Sequence, residues 1–206
     1  MKKFITPQEE FWAGNFGDDY ISRNKSVELL ASNLSFFSKA LERVGRPKSI
    51  LEFGANIGMN LKAIKYLFPK IKCSGIEINE HAANELAKLI GESSIFKGSI
   101  FDYPVREKFD LALIKGVLIH VNPDMLPVVY KKLYDSSSNY ILICEYYNPS
   151  PVTINYRGHT DRLFKRDFAG EIMDLYPELN LIDYGFFYKR DVAFPQDDIT
   201  WFLLKK

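Results

Sequence analysis

The sequence predicts an α/β fold: a doubly wound, seven-stranded sheet, mostly parallel, with an antiparallel edge strand. Three observations predict it. Short apolar segments alternate with amphipathic ones along the 206 residues, the pattern of strands joined by crossover helices. Segment 140–144 is almost wholly apolar, as a strand covered on both faces should be. The last two strand-like segments lack a helix between them, so they should pair antiparallel at one edge.

Each element has its own justification. Residues 1–25 read as an N-terminal extension, aromatic and polar without a clear period, and 26–206 as the main domain. Val27, Leu30, Leu34, Phe37 and Leu41 recur at three- and four-residue steps, so 26–44 should be an amphipathic helix. Ser26 suits its N-cap, and Gly45-Arg46-Pro47 stops it. A short strand over 49–53 runs into Gly54-Ala55-Asn56-Ile57-Gly58, and a helix follows over 60–68 until Pro69 breaks it. Strands are expected again at 72–78, 94–97, 109–114, 140–144, 181–189 and 200–204. Helices are expected at 80–90, ended by Gly91, and at 123–134 and 164–176.

Composition narrows the function. Lys+Arg is 27 and Asp+Glu 26, a net charge of +1, which argues against a polyanion partner. The 47% of apolar residues excludes a disordered chain. Cys73 and Cys144 lie inside apolar runs and read as buried reduced thiols. No apolar run reaches the length of a membrane span, and Met1 to Pro7 has no signal-type apolar region. A cytoplasmic protein is expected, with no membrane and no nucleic-acid partner.

The chemistry starts at Glu52-Phe53-Gly54-Ala55-Asn56-Ile57-Gly58. A tight glycine turn at the carboxyl end of a first strand is where open α/β sheets bind nucleotides. The dinucleotide fingerprint would need glycines at 54, 56 and 59, but Asn56 and Met59 stand at two of them. An acid at Glu52 suits a cation better than a pyrophosphate, and S-adenosylmethionine carries a sulfonium and an ammonium. The stretch resembles motif I of class I S-adenosylmethionine-dependent methyltransferases, which have a Rossmann-like fold. Glu77-Ile78 closes the second strand, and an acid there can accept both ribose hydroxyls.

That resemblance implies further roles. Ser99, Ile100 and Phe101 would flank the adenine, although the usual acid is missing at Ser99. Lys115 leaves the fourth strand near the methionine end, where its backbone matters more than its ammonium. His120 has two readings, a general base with a near-neutral pKa or a histidine packed at a helix start. After the fifth strand, Glu145-Tyr146-Tyr147-Asn148-Pro149 and then Tyr156, Arg157, His159 and Arg162 either build the acceptor pocket or form a surface loop. Tyr147 is the second candidate base.

The run Glu10-Phe11-Trp12-Ala13-Gly14-Asn15-Phe16-Gly17-Asp18-Asp19-Tyr20-Ile21-Ser22-Arg23-Asn24, with 51–61 and 115–123, resembles the pseudaminic acid biosynthesis-associated methyltransferases. The resemblance implies an acceptor related to a nonulosonic sugar of bacterial surface glycans. Trp12, Phe16 and Tyr20 are four residues apart, so they could share a helical face, either as a lid over the methyl donor or as an anchor. Tyr20 and Arg23 could reach the donor's carboxylate. Two alternatives stand beside a methyltransferase: a nicotinamide-dependent oxidoreductase, and a non-catalytic subunit that binds the donor.

Overall fold

The computed structural model describes residues 4–21 and 25–206. In chain order its strands are β1 (Ser49–Phe53), β2 (Lys72–Glu77), β3 (Ile95–Lys97), β4 (Phe109–Lys115), β5 (Ser137–Glu145), β6 (Val152–Tyr156), β7 (His159–Lys165), β8 (Asn180–Phe187) and β9 (Ile199–Lys205). Its helices are α1 (Pro7–Ala13), α2 (Asn15–Ile21), α3 (Val27–Ala40), α4 (Met59–Leu67), α5 (Glu80–Ile90), α6 (Leu126–Ser136) and α7 (Phe168–Leu175). Seven strands form one sheet in the order β3-β2-β1-β4-β5-β9-β8. The pairs β1–β2, β1–β4, β2–β3 and β4–β5 are parallel. β9 runs antiparallel to both β5 and β8. The expected seven-stranded, mostly parallel sheet therefore forms, with the antiparallel pair β8–β9 at one edge.

Strand alternation divides the core between two faces. Ile50, Leu111, Leu113, Leu142 and Leu203 pack with α3, α4 and α5 through Phe36, Phe37, Leu61, Ile64 and Leu86. Leu51, Phe53, Ile114, Ile141 and Ile143 point the other way, onto Val129, Leu133, Phe168 and Ile172 of α6 and α7. Cys73 and Cys144 are buried free thiols. α3 begins where Ser26 Oγ accepts the Leu29 N–H at 3.0 Å, a cap that satisfies one of the orphan donors of the first turn.

Three elements differ from the sequence reading. The helix expected over 164–176 starts only at Phe168, because Phe164 and Lys165 belong to β7 and Asp167 Oδ1 caps the helix by accepting the Gly170 N–H at 2.8 Å. β6 and β7 form a separate two-stranded hairpin. Four of the five residues of β6 are exposed, so it carries none of the in–out alternation that marks a strand. The extension also holds two short helices. α1 opens with a capping box in which Thr6 Oγ1 accepts the Glu9 N–H and Glu9 Oε2 accepts the Thr6 N–H, with Pro7 at the first helical position. No helix among the described residues is long and apolar enough to cross a membrane.

Candidate active site

β1 has β2 on one side and β4 on the other, so chain connections diverge there and leave a crevice at the carboxyl ends of the strands. A cavity of about 420 Å³ opens in that crevice. Its floor is the turn between β1 and α4. The Gly54 and Ala55 N–H groups both donate to Ile76 O, at 2.9 and 3.0 Å. Gly54 sits at φ +71°, and a Cβ there would lie 2.6 Å from Val117 Cγ2. Only glycine satisfies both constraints.

Asn56 also has a positive φ, +48°. Asparagine tolerates this region because its short side chain bonds the local backbone, and here Oδ1 accepts the Ile57 N–H at 2.8 Å. The left-handed backbone that the missing middle glycine would have supplied is thus present.

Glu77 stands on the cavity wall. Its Oε2 accepts the Asn56 N–H at 2.7 Å and its Oε1 the Asn79 N–H at 2.8 Å. Burial pushes this carboxyl above its ordinary pKa, against the pull of those N–H groups. Each carboxylate oxygen keeps lone-pair capacity for a ligand hydroxyl. Ile78, Ser99, Ile100 and Phe101 continue the same wall. Ser99 Oγ accepts the Phe101 N–H at 3.1 Å, capping a single 3-10 turn.

Glu52 has a different place. It is fully buried beneath the cavity and does not line it. Its Oε1 accepts from Asn60 Nδ2 at 2.6 Å, and its Oε2 is buried without a partner. Burial raises its pKa to about 8, despite the Asn60 hydrogen bond and the nearby Lys115. Gly58 is likewise set back from the wall, with φ +85° at the N-cap of α4. Lys115 does line the cavity, and its ammonium lies 5.5 Å from the centre of the Phe36 ring.

The opposite end of the cavity is aromatic. Trp12 and Tyr20 line it from α1 and α2, with His120, Tyr146 and Tyr156. The His120 ring lies 4.7 Å from Trp12 and 5.2 Å from Tyr156. Its Nδ1 is 2.5 Å from Arg162 O. A carbonyl can only accept, so Nδ1 carries the proton and Nε2 keeps its lone pair. Burial lowers the His120 pKa to about 4, so the ring is neutral at physiological pH. Glu145, buried at the end of β5, holds the turn that carries His120: its Oε1 accepts the Val117 and Leu118 N–H groups, both at 2.9 Å.

Tyr147, the second expected base, is not on the cavity wall. It bridges to Arg166 and turns its half-exposed ring toward Phe202, 5.8 Å away. Tyr146, one residue earlier, takes the cavity side, since neighbouring residues of extended chain face opposite ways. Arg23 lies outside the described residues.

The extension closes over this end. Gln8 Nε2 donates to Asp161 O at 2.9 Å, so α1 and the His120 ring are held by neighbouring carbonyls of β7. Asn79 Nδ2 and His81 Nδ1 both meet Asp18 Oδ1, at 2.8 and 2.9 Å, fastening α2 to the start of α5. A Cβ on Gly17 would collide with the Trp12 carbonyl oxygen and come within 2.8 Å of Asn79 Nδ2. The missing side chain at Gly17 is what lets α2 approach this closely.

Sheet order and site position together define the fold of class I S-adenosylmethionine-dependent methyltransferases. Among solved structures, 1,6-didemethyltoxoflavin-N1-methyltransferase of Burkholderia thailandensis superposes with a TM-score of 0.71 at 15% identity, over 100% of this chain and 92% of that one. Magnesium protoporphyrin IX methyltransferase of Synechocystis PCC 6803 gives 0.67 at 10% identity, over 100% of both chains. Mitomycin 7-O-methyltransferase gives 0.67 at 12% identity, and the match spans 98% of this chain but only 61% of that enzyme. No protein-family model matches the sequence, and no curated protein sequence does.

Proposed function

We propose that this chain is an S-adenosylmethionine-dependent methyltransferase acting on an oxygen or nitrogen of a small-molecule acceptor, a pseudaminic-type nonulosonic sugar or an intermediate of one. The observation that carries the reading is one cavity running from the Glu77 cradle to the His120 ring. The donor's chemistry fits the residues present. Glu77 offers two carboxylate oxygens for a ribose diol, and Ile100 and Phe101 offer apolar surface for a base. The left-handed backbone at Gly54 and Asn56 leaves room for the rest. The bound donor supplies an activated methyl group on a sulfonium. An oxidoreductase is not favoured, because the dinucleotide turn would need glycines where Asn56 and Met59 stand.

The residues of this chain then do three things. The cradle and the Trp12–Tyr156 walls hold two reactants in line and close, which is where most of the rate of such a displacement is gained. The aromatic end excludes water and offers faces on which a sugar ring can stack. The His120 Nε2 lone pair accepts a hydrogen bond from the acceptor's hydroxyl. A pKa of about 4 makes this a weak base, but the hydroxyl becomes strongly acidic as its oxygen bonds the methyl carbon, the carbon–sulfur bond breaks to leave a neutral thioether, and the oxygen takes on oxonium character. The proton therefore moves to Nε2 as the new bond forms. The reading includes a cytoplasmic location and excludes nucleic acid and membrane as partners.

Titration calorimetry with S-adenosylhomocysteine tests the donor site, and labelled methyl transfer to a panel of sugar nucleotides and glycan intermediates tests the acceptor. The wild type is expected to bind the nucleoside, and Glu77→Ala to weaken it at least about tenfold through loss of charge-assisted ribose contacts. Unchanged affinity in the variant, or no binding by the wild type, defeats the donor assignment.

A further inference from the structure

A chain of buried amides runs from Glu52 to the cavity wall. Asn60 Nδ2 donates to Glu52 Oε1 at 2.6 Å, Asn33 Nδ2 donates to Asn60 Oδ1 at 3.1 Å, and Gln196 Nε2 donates to Asn33 Oδ1 at 3.0 Å. The four residues come from β1, α4, α3 and the β8–β9 connection. Glu52 is 0% exposed, Asn33 1% and Gln196 6%. Polar groups buried this deeply are retained at a desolvation cost unless every member is satisfied. The three amides meet that condition at each step, although Glu52 Oε2 stays buried without a partner, and the chain ends on Gln196, whose side chain lines the cavity and whose carbonyl no step of the chain uses.

The direction of the chain is set at Glu52. Glu52 Oε1 accepts from Asn60 Nδ2, and an amide that gives its NH₂ to one neighbour can only accept from the next through its carbonyl. The Asn60 carbonyl is left for Asn33, the Asn33 carbonyl for Gln196, and the Gln196 carbonyl for the cavity. Each amide polarises the next in the same sense.

From this geometry we infer that Glu52, Asn60, Asn33 and Gln196 act as one polarised relay that presents the Gln196 carbonyl to a ligand ammonium or amine. The inference rests on the methyltransferase reading and assigns the far wall of that site. Gln196 is the residue that touches the ligand; Glu52, Asn60 and Asn33 are positioning residues. Two sources of the ammonium share this chemistry, the amino-acid end of the methyl donor and an amino group on the acceptor. Glu52 thus anchors the chain from beneath the cavity without itself reaching it.

The test compares S-adenosylhomocysteine, which carries the amino-acid end, with 5′-methylthioadenosine, which lacks it. Gln196→Leu and Asn33→Leu are expected to lose at least about tenfold in affinity for the first and less than about twofold for the second. If homocysteine-compound affinity holds while the acceptor KM rises about tenfold with kcat unchanged, the ammonium belongs to the acceptor and the relay stands. Melting temperatures identify variants that fail to fold, and Gln196→Met, an uncharged chain of similar length, then replaces Gln196→Leu. Equal losses for both nucleosides, or no change in either nucleoside or in KM, overturn the relay. No binding of S-adenosylhomocysteine by the wild type overturns the methyltransferase reading along with it.

Discussion

At the residue scale, His120 is the cavity side chain for which both the tautomer and the charge state follow from its surroundings. The Arg162 carbonyl fixes its tautomer, and burial keeps it neutral. His120→Ala is therefore expected to slow turnover by about a hundredfold, the lower end of general-base contributions, while S-adenosylhomocysteine affinity stays within about twofold. Stopped-time assays with labelled donor and calorimetry check the two halves separately, and wild-type turnover in the variant removes His120 from the chemistry. His120 could be picked out in the sequence by its distance beyond the fourth strand. Its tautomer could not, because the partner carbonyl lies 42 residues away. Tyr147 and Tyr146 could not be told apart either. Their facing depends on where β5 ends, and an apolar run gives no in–out alternation to settle that.

At the element scale, the glycine turn, the acid at the end of β2 and the seven main-sheet strands were legible because each has a local signature: a positive-φ residue, a strand-terminal carboxylate, an apolar run. The β6–β7 hairpin lacked one, since its strands are largely exposed and cover the site from outside the main sheet. The capping box at Thr6-Pro7-Gln8-Glu9 was a readable helix start, hidden by the aromatic composition that follows. The relay residues Asn33, Asn60 and Gln196 were invisible for another reason: polar residues inside amphipathic helices and loops look solvated until the fold brings them together. Gly17 gives this scale its own prediction. Gly17→Ala is expected to push α2 away from Trp12 and Asn79 and so speed proteolytic cleavage within residues 4–21. The melting temperature should shift by no more than about 3 °C, because α1 and α2 lie outside the two core clusters. Limited proteolysis followed by mass measurement, with a thermal melt alongside, checks both.

At the scale of the whole molecule, buried carboxyls make stability depend on pH. Glu52 and Glu145 have folded pKa values of about 8 and about 7, raised by burial above the ordinary 4.5. The folded state holds their protons more tightly than the unfolded chain. Their contribution is therefore fully present below pH 4.5 and is lost as pH rises through 7 and 8. His120 has the opposite sign: its folded pKa is depressed, so its contribution is present above 6.5 and lost as pH falls toward 4. Between pH 6.5 and 8 only the carboxyls act, and urea midpoints should fall across that window. Glu52→Gln should flatten the fall, because the amide keeps the acceptor for Asn60 and has no proton to lose. A wild-type midpoint that rises across the window contradicts this account.

The two neighbouring carbonyls of β7 hold the Gln8 amide and the His120 imidazole. Opening the cavity from that side means lifting the hairpin, and lifting the hairpin strips the imidazole of the bond that chooses which nitrogen bears hydrogen. Under the proposed mechanism the same two peptide units both fasten the extension and select the tautomer of the base, so a change that loosens this hairpin is expected to disturb both together.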